Sequence, residues 1–119
     1  MPTLAEHIKK ASENETFADG LDIATQASVN WKLIVMFYSS VHYVEAYLAK
    51  HLNQHMRSHT TRDSTVAREA NLRKIRNEYN HLKFYGYNAR YEPDQFTKTD
   101  VKAAHGYLAR VKSTLKPLL

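Results

Sequence analysis

Trp31-Lys32-Leu33-Ile34-Val35-Met36-Phe37-Tyr38-Ser39-Ser40-Val41-His42-Tyr43-Val44-Glu45-Ala46-Tyr47-Leu48 is the stretch whose reading decides the fold. From Leu33 to Tyr38 it is apolar without interruption. It then thins to Val41, Val44, Ala46 or Tyr47, and Leu48, the three- and four-residue spacing of one helix face. A helix that is apolar on every side belongs in the middle of a bundle. Ser39 and Ser40 are small enough to let a neighbouring helix come close. The pattern predicts a central helix from Trp31 to about Asn53, capped by Ser28 or Asn30, with Phe37 and Val41 fully buried.

The flanking segments read as partners for that helix. Upstream, Leu4, Ile8 and Ala11 form one stripe and Phe17, Leu21 and Ala24 another, so Leu4 to about Ala27 is expected to be helical, with a break at Ser12–Glu15 or Gly20. Downstream, His55 to Thr61 reads as a polar loop. Asp63 or Ser64 can cap a third helix whose core stripe is Leu72, Ile75, Tyr79 and Leu82, and which Gly86 is placed to stop. A loop with Pro93 follows. Thr97 and Asp100 resemble a capping box, and Val101, Ala104, Tyr107 or Leu108, Val111 and Leu115 mark a last helix ending before Pro117. No segment alternates as a strand would. The expected fold is all-α: one domain over residues 1–119, an antiparallel bundle of four or five helices.

Composition narrows the function classes. A chain of 119 residues can bury a core without staples, and with no cysteine it has neither disulfides nor thiolate metal sites, which fits a cytoplasmic setting. The N-terminus lacks the apolar run of a signal peptide, and Leu33–Tyr38 is too short to span a bilayer, so no membrane role is expected. The net charge of +5 is unevenly placed. Residues 57–90 carry eight Lys/Arg against three Asp/Glu, whereas residues 1–56 carry four against six. A basic segment in an otherwise balanced domain suits a polyanion partner such as RNA, and equally a solvated helix face.

Within that segment lies Arg76-Asn77-Glu78-Tyr79-Asn80-His81. Arginine neutralises a phosphate at any pH and histidine moves a proton near neutrality, a pair suited to metal-free RNA cleavage. Five residues apart on a straight helix, Arg76 and His81 point about 140° away from each other. One compact site therefore needs either a distorted helix or a second copy of the chain. Arg73, Asn77 and His81 would share one polar face. Arg90, between Tyr87 and Tyr91, can stack bases or pin a loop to the bundle. Glu45, if buried, needs a cation such as Arg62 or Arg90. His51, His55 and His59 recur every four residues, but no carboxylate or cysteine completes a ligand set, so neither a metal nor another cofactor is expected.

Taken together, Trp31 with the run into Phe37-Tyr38, His42, Glu45-Ala46, Ser58-His59, Arg62, Tyr79, Leu82 and Ala89-Arg90-Tyr91 before a capped last helix resemble the HEPN superfamily (higher eukaryotes and prokaryotes nucleotide-binding domains), small stand-alone prokaryotic type. The resemblance runs from about Leu4 to Leu115. It implies a small helical bundle that dimerises. Active members carry an arginine separated from a histidine by four to six residues, often with a polar residue after the arginine, and Arg76, Asn77 and His81 match that form. The resemblance then implies a metal-independent endoribonuclease, toxin-like, paired with a nucleotidyltransferase-like antitoxin. In it His81 would move protons while the 2′-hydroxyl attacks, and Arg76 would steady the developing charge. Arg73, Asn77, Arg90, Tyr91 and Arg62 would hold the nucleic acid. Two other classes stay open: a non-catalytic RNA- or nucleotide-binding module, and a helical interaction or dimerisation domain.

Overall fold

A computed structural model describes residues 2–55, 58–91 and 96–119, and no strand occurs among them. Six α-helices follow in order: α1 (Leu4–Gly20), α2 (Gln26–His51), α3 (His59–Arg68), α4 (Ala70–Arg73), α5 (Arg76–Tyr91) and α6 (Lys98–Leu115), closed by a 3₁₀ turn at Lys116–Leu118. The chain is an all-α bundle, as its periodicity requires. Pro93 lies outside the described residues.

Helix α2 is the central element and packs against α1, α5 and α6. Cross-contacts fix the directions. Leu21, Ala11 and His7 of the α1 side meet Lys32, Ser39 and His42 in that order, so α1 and α2 are antiparallel. Asn71, which precedes α5, meets Tyr47, and Arg90 meets Tyr38, so α5 also runs against α2. Glu78, His81 and Tyr85 meet Arg110, Tyr107 and Asp100, which sets α6 against α5. The four long helices thus form an up-and-down bundle, and α3 with α4 makes the crossover between its second and third members.

The core follows the apolar stripes. Phe37 and Val41 are buried, as are Leu33, Met36, Val44 and Leu48 of α2, Leu72, Ile75, Tyr79 and Leu82 before and within α5, and Val101, Ala104, Leu108, Val111 and Leu115 of α6. Each large aliphatic side chain so buried contributes about 1.5–3 kcal/mol. Ser39 allows the close approach its size suggests, since its hydroxyl donates to the Ala11 carbonyl at 2.8 Å.

Several boundaries differ from the periodicity. Helix α1 stops at Gly20 without a break at Ser12–Glu15, and its inner face is His7, Ala11 and Ala18, while Phe17 stands exposed. Thr25, not Ser28 or Asn30, caps α2 by accepting from the Ser28 amide. Ser58 caps α3 by accepting from the Thr61 amide, so the helix begins inside the expected polar loop, and Asp63 instead pairs with Lys83. The expected single third helix is three segments. The Glu69 carboxylate accepts from the Asn71 and Leu72 amides and starts α4, and the chain turns again at Lys74–Ile75 before α5. Gly86 does not stop a helix: it lies buried inside α5, which continues to Tyr91. The capping box at Thr97 and Asp100 is present.

Candidate functional site

Two polar constellations lie on either side of Arg62. The first is a cleft of about 130 Å³ between α2, α3 and α5, lined by Phe37, Tyr38, His59, Lys83, Gly86, Tyr87, Arg90 and Tyr91. Arg90 donates to the Tyr38 hydroxyl and stands 4.9 Å from the centre of the Tyr91 ring and 5.9 Å from that of Tyr38. Tyr87 and Tyr91, one helical turn apart, pack at 5.0 Å between ring centres, yet each is more than half exposed (57% and 59%), so their outer faces are free to stack on something else. Lys83 enters the same cleft and is paired with Asp63.

His59 brings a defined tautomer to this cleft. Its Nδ1 lies 3.1 Å from Nη1 of Arg62. A guanidinium only donates, so Nδ1 accepts and the ring proton of the neutral imidazole sits on Nε2. Burial first, then the cations Arg62 and Lys83, hold the His59 pKa below its ordinary value. The ring, stacked on Phe37 at 5.7 Å, is therefore a neutral hydrogen-bond donor at pH 7 rather than a base.

The second constellation is interior. Glu45 is 1% exposed, and its Oε1 accepts from Nε of the buried Arg62 at 2.9 Å. Its Oε2 lies 3.2 Å from Nδ1 of His55. His7 stacks on His55 at 5.3 Å, and its Nδ1 is 3.1 Å from Nδ1 of His42, so one ring donates and the other accepts. The expected cation for Glu45 is thus Arg62. It ties α3 to the central helix and is not at the surface, where a nucleic-acid contact would need it.

The same interior sets an acid limit. Burial, with His7 and Lys10 nearby, holds His42 down to about 4, while Glu45 pulls the other way and Arg62 adds a further downward push. Burial also lowers His7. The unfolded chain takes up these protons near 6.5 and the folded chain only well below. Stability is therefore complete above about pH 6.5 and is lost as the pH falls towards 4. The shift of His42 from 6.5 to about 4 corresponds to about 3 kcal/mol, and the ring's partial exposure reduces that to about 1.5 kcal/mol. Urea unfolding in chelator between pH 7.5 and 4.5 should show this decline, and His42→Gln should flatten it. An unchanged midpoint across that range would contradict the assignment.

The remaining expected site residues are placed apart. Arg76 and Asn77 open α5 and are exposed, and Arg73 is exposed on α4. The turn at Lys74–Ile75 breaks the continuous face on which Arg73, Asn77 and His81 were expected to align. His81 is exposed and lies flat on Tyr107 of α6, 4.6 Å between ring centres at 3°. Arg90 and Tyr91, by contrast, do come together, with Tyr87 beside them. His51, His55 and His59 separate: His51 packs on Tyr47, His55 enters the Glu45 cluster and His59 the cleft. Sequence reasoning missed Lys83 as a wall of the cleft, Tyr38 as the partner of Arg90, and His7 altogether. The available signal for His7 was its place one turn before Ala11 on the inner face of α1. Protein-family models, curated proteins and solved structures give no match to this chain.

Proposed function

We propose that this chain is a HEPN-like RNA- or nucleotide-binding module that grips a base and its phosphate in the cleft between α2, α3 and α5. The observation that carries this reading is the meeting of Arg90, Lys83 and the Nε2–H of His59 with the open faces of Tyr87 and Tyr91 in one concavity. Fixed cations and a neutral donor suit a phosphate, and exposed rings suit a base. A cleft of about 130 Å³ is smaller than pockets that enclose a whole cofactor, so one planar group enters while the rest of the ligand runs over the surface. The basic helix with Arg73 and Arg76 then offers a track for further phosphates.

Binding is favoured over cleavage because the histidine in the cleft has its acceptor nitrogen engaged, and because Arg76 and His81 diverge on one chain. Cleavage through Arg76 and His81 would need a two-fold copy to bring one chain's arginine to the other's histidine.

Fluorescence anisotropy with a labelled single-stranded RNA tests the proposal. Arg90→Ala should weaken binding at least about tenfold and Tyr87→Ala about five- to tenfold, since each stacked base is worth about 1–3 kcal/mol. Arg73→Ala and Arg76→Ala should change affinity less, and mainly flatten its salt dependence. Unchanged affinity in Arg90→Ala and Tyr87→Ala would overturn the cleft. RNA cleavage in chelator that both Arg76→Ala and His81→Ala abolish would replace the binding reading with the ribonuclease one, and sedimentation would then show a dimer.

A further inference from the structure

We propose that His7, Glu45 and His55 form a buried binding site for a divalent transition-metal ion, with Zn²⁺ the best chemical fit. One ligand atom from each lies within 4.8 Å of the other two. His55 Nδ1 and Glu45 Oε2 are 3.2 Å apart, close to the roughly 3.3 Å edge of a tetrahedron with bonds of about 2.0–2.1 Å around zinc. Two imidazoles and one carboxylate select zinc-like ions over magnesium or calcium.

Among the described residues, two buried ring nitrogens have no hydrogen-bond partner. His7, 2% exposed, leaves Nε2 buried without a hydrogen-bond partner. His55 Nδ1 is likewise buried and, although near Glu45, lacks the alignment of a hydrogen bond. Buried polar atoms without partners are rare in folded proteins and commonly mark an absent ion or water.

The outer contacts are those a metal site needs. His7 uses Nδ1 on His42 at 3.1 Å, so Nε2 is the nitrogen on the side of the cluster, and Arg62 holds Glu45 through Oε1 at 2.9 Å while Oε2 lies 3.2 Å from His55 Nδ1. Metal ligands are oriented in this way by groups on their far sides. Arg62 also weakens the site's pull on a cation, so the ion should be exchangeable by chelator. The His55 side chain, 24% exposed, gives a way in from solvent. An ion there would join α1, α2 and the segment before α3, residues far apart in sequence.

The site is independent of the cleft and of whether RNA binds. The test strips the full chain with chelator and titrates Zn²⁺ by calorimetry and Co²⁺ by visible absorption. One ion per chain is expected, with the intense visible bands of four-coordinate Co²⁺ and a raised melting temperature. His7→Ala and His55→Ala should each weaken binding at least about 100-fold, while His51→Ala and His105→Ala, which alter histidines outside the cluster, should leave it unchanged. His55→Ala is the safer variant because that side chain is partly exposed, and circular dichroism checks both folds. No Co²⁺ bands, or Zn²⁺ affinity that survives in folded His55→Ala, would overturn the proposal.

Discussion

Arg62→Met is expected to cost about 3–5 kcal/mol of stability, the range found when one partner of a buried ion pair is removed. Glu45 is 1% exposed and Arg62 6%, so neither charge can turn to water when the other is removed. Methionine keeps much of the volume and removes the fixed cation that donates to Oε1 of Glu45 at 2.9 Å and to Nδ1 of His59 at 3.1 Å. His55 stays beside the carboxylate, which holds the loss within that range. The pair also fastens α3, whose other buried side chains are only Thr65 and Val66, so the crossover should loosen before the bundle opens. Glu45→Met alone should be similarly costly. The double variant should lose clearly less than the two single losses added together, because an apolar pair is no longer an uncompensated charge. Urea unfolding of the four proteins in chelator measures this. Single losses below about 1 kcal/mol, or strict additivity, would mean that the pair does not hold α3.

The helical bundle was legible because burial imposes a period. Leu33–Tyr38 is apolar on all sides and lies at the centre, and the stripes of Leu72, Ile75, Tyr79 and Leu82 and of Val101 to Leu115 are buried. The helix ends were less legible because a cap is one hydrogen bond, and several residues could make it. Thr25 and Ser58 won over Ser28, Asn30, Asp63 and Ser64. Glu69 was unreadable as a helix start, since its carboxylate is fixed partly by the Tyr47 hydroxyl, a contact across the bundle. A period also cannot show interruptions shorter than itself. The turn at Lys74–Ile75 keeps both Leu72 and Ile75 inside while breaking the helix between them.

The site was legible only where its parts are neighbours in sequence. Tyr87, Arg90 and Tyr91 were readable as a unit because they are close in sequence, although they were expected in a loop after Gly86 and instead lie on successive turns of α5. His59 and Lys83 reach the same cleft from other segments, and His7 meets His42, Glu45 and His55 only because α1 folds back along α2. Glu45 and Arg62 form an intermediate case. A buried carboxylate needs a cation, which limited the partner to a few arginines although sequence spacing could not choose among them.

Gly86→Val is the second large effect, about 3 kcal/mol, and it joins the fold to the cleft. Glycine inside a helix is ordinarily a loss of about 0.5–1 kcal/mol relative to alanine, so removing it should help. At Gly86 a Cβ would meet Phe37 at 2.7 Å from its Cβ and 2.8–2.9 Å from its ring. The nearest atom is a Cβ fixed to the α2 backbone, not the end of a flexible side chain, so relief requires the helices to separate. Overpacking of this kind typically costs about 1–3 kcal/mol and outweighs the gain in helix propensity. Gly86→Ala should therefore lose about 1–2 kcal/mol, and the branched valine more. Gly106→Ala is the matched control: it lies within α6, is exposed, and nothing stands within 4 Å of its added methyl, so it should gain about 0.5–1 kcal/mol. Phe37 and Gly86 both line the cleft, so Gly86→Ala should also weaken RNA binding while Gly106→Ala leaves it intact. Equal stability of Gly86→Ala and the parent would show that α2 and α5 can part at no cost. RNA affinity unchanged in a destabilised Gly86→Ala would instead separate the cleft from the ligand, because the residue that sets the spacing of its walls would then have no influence on what enters it.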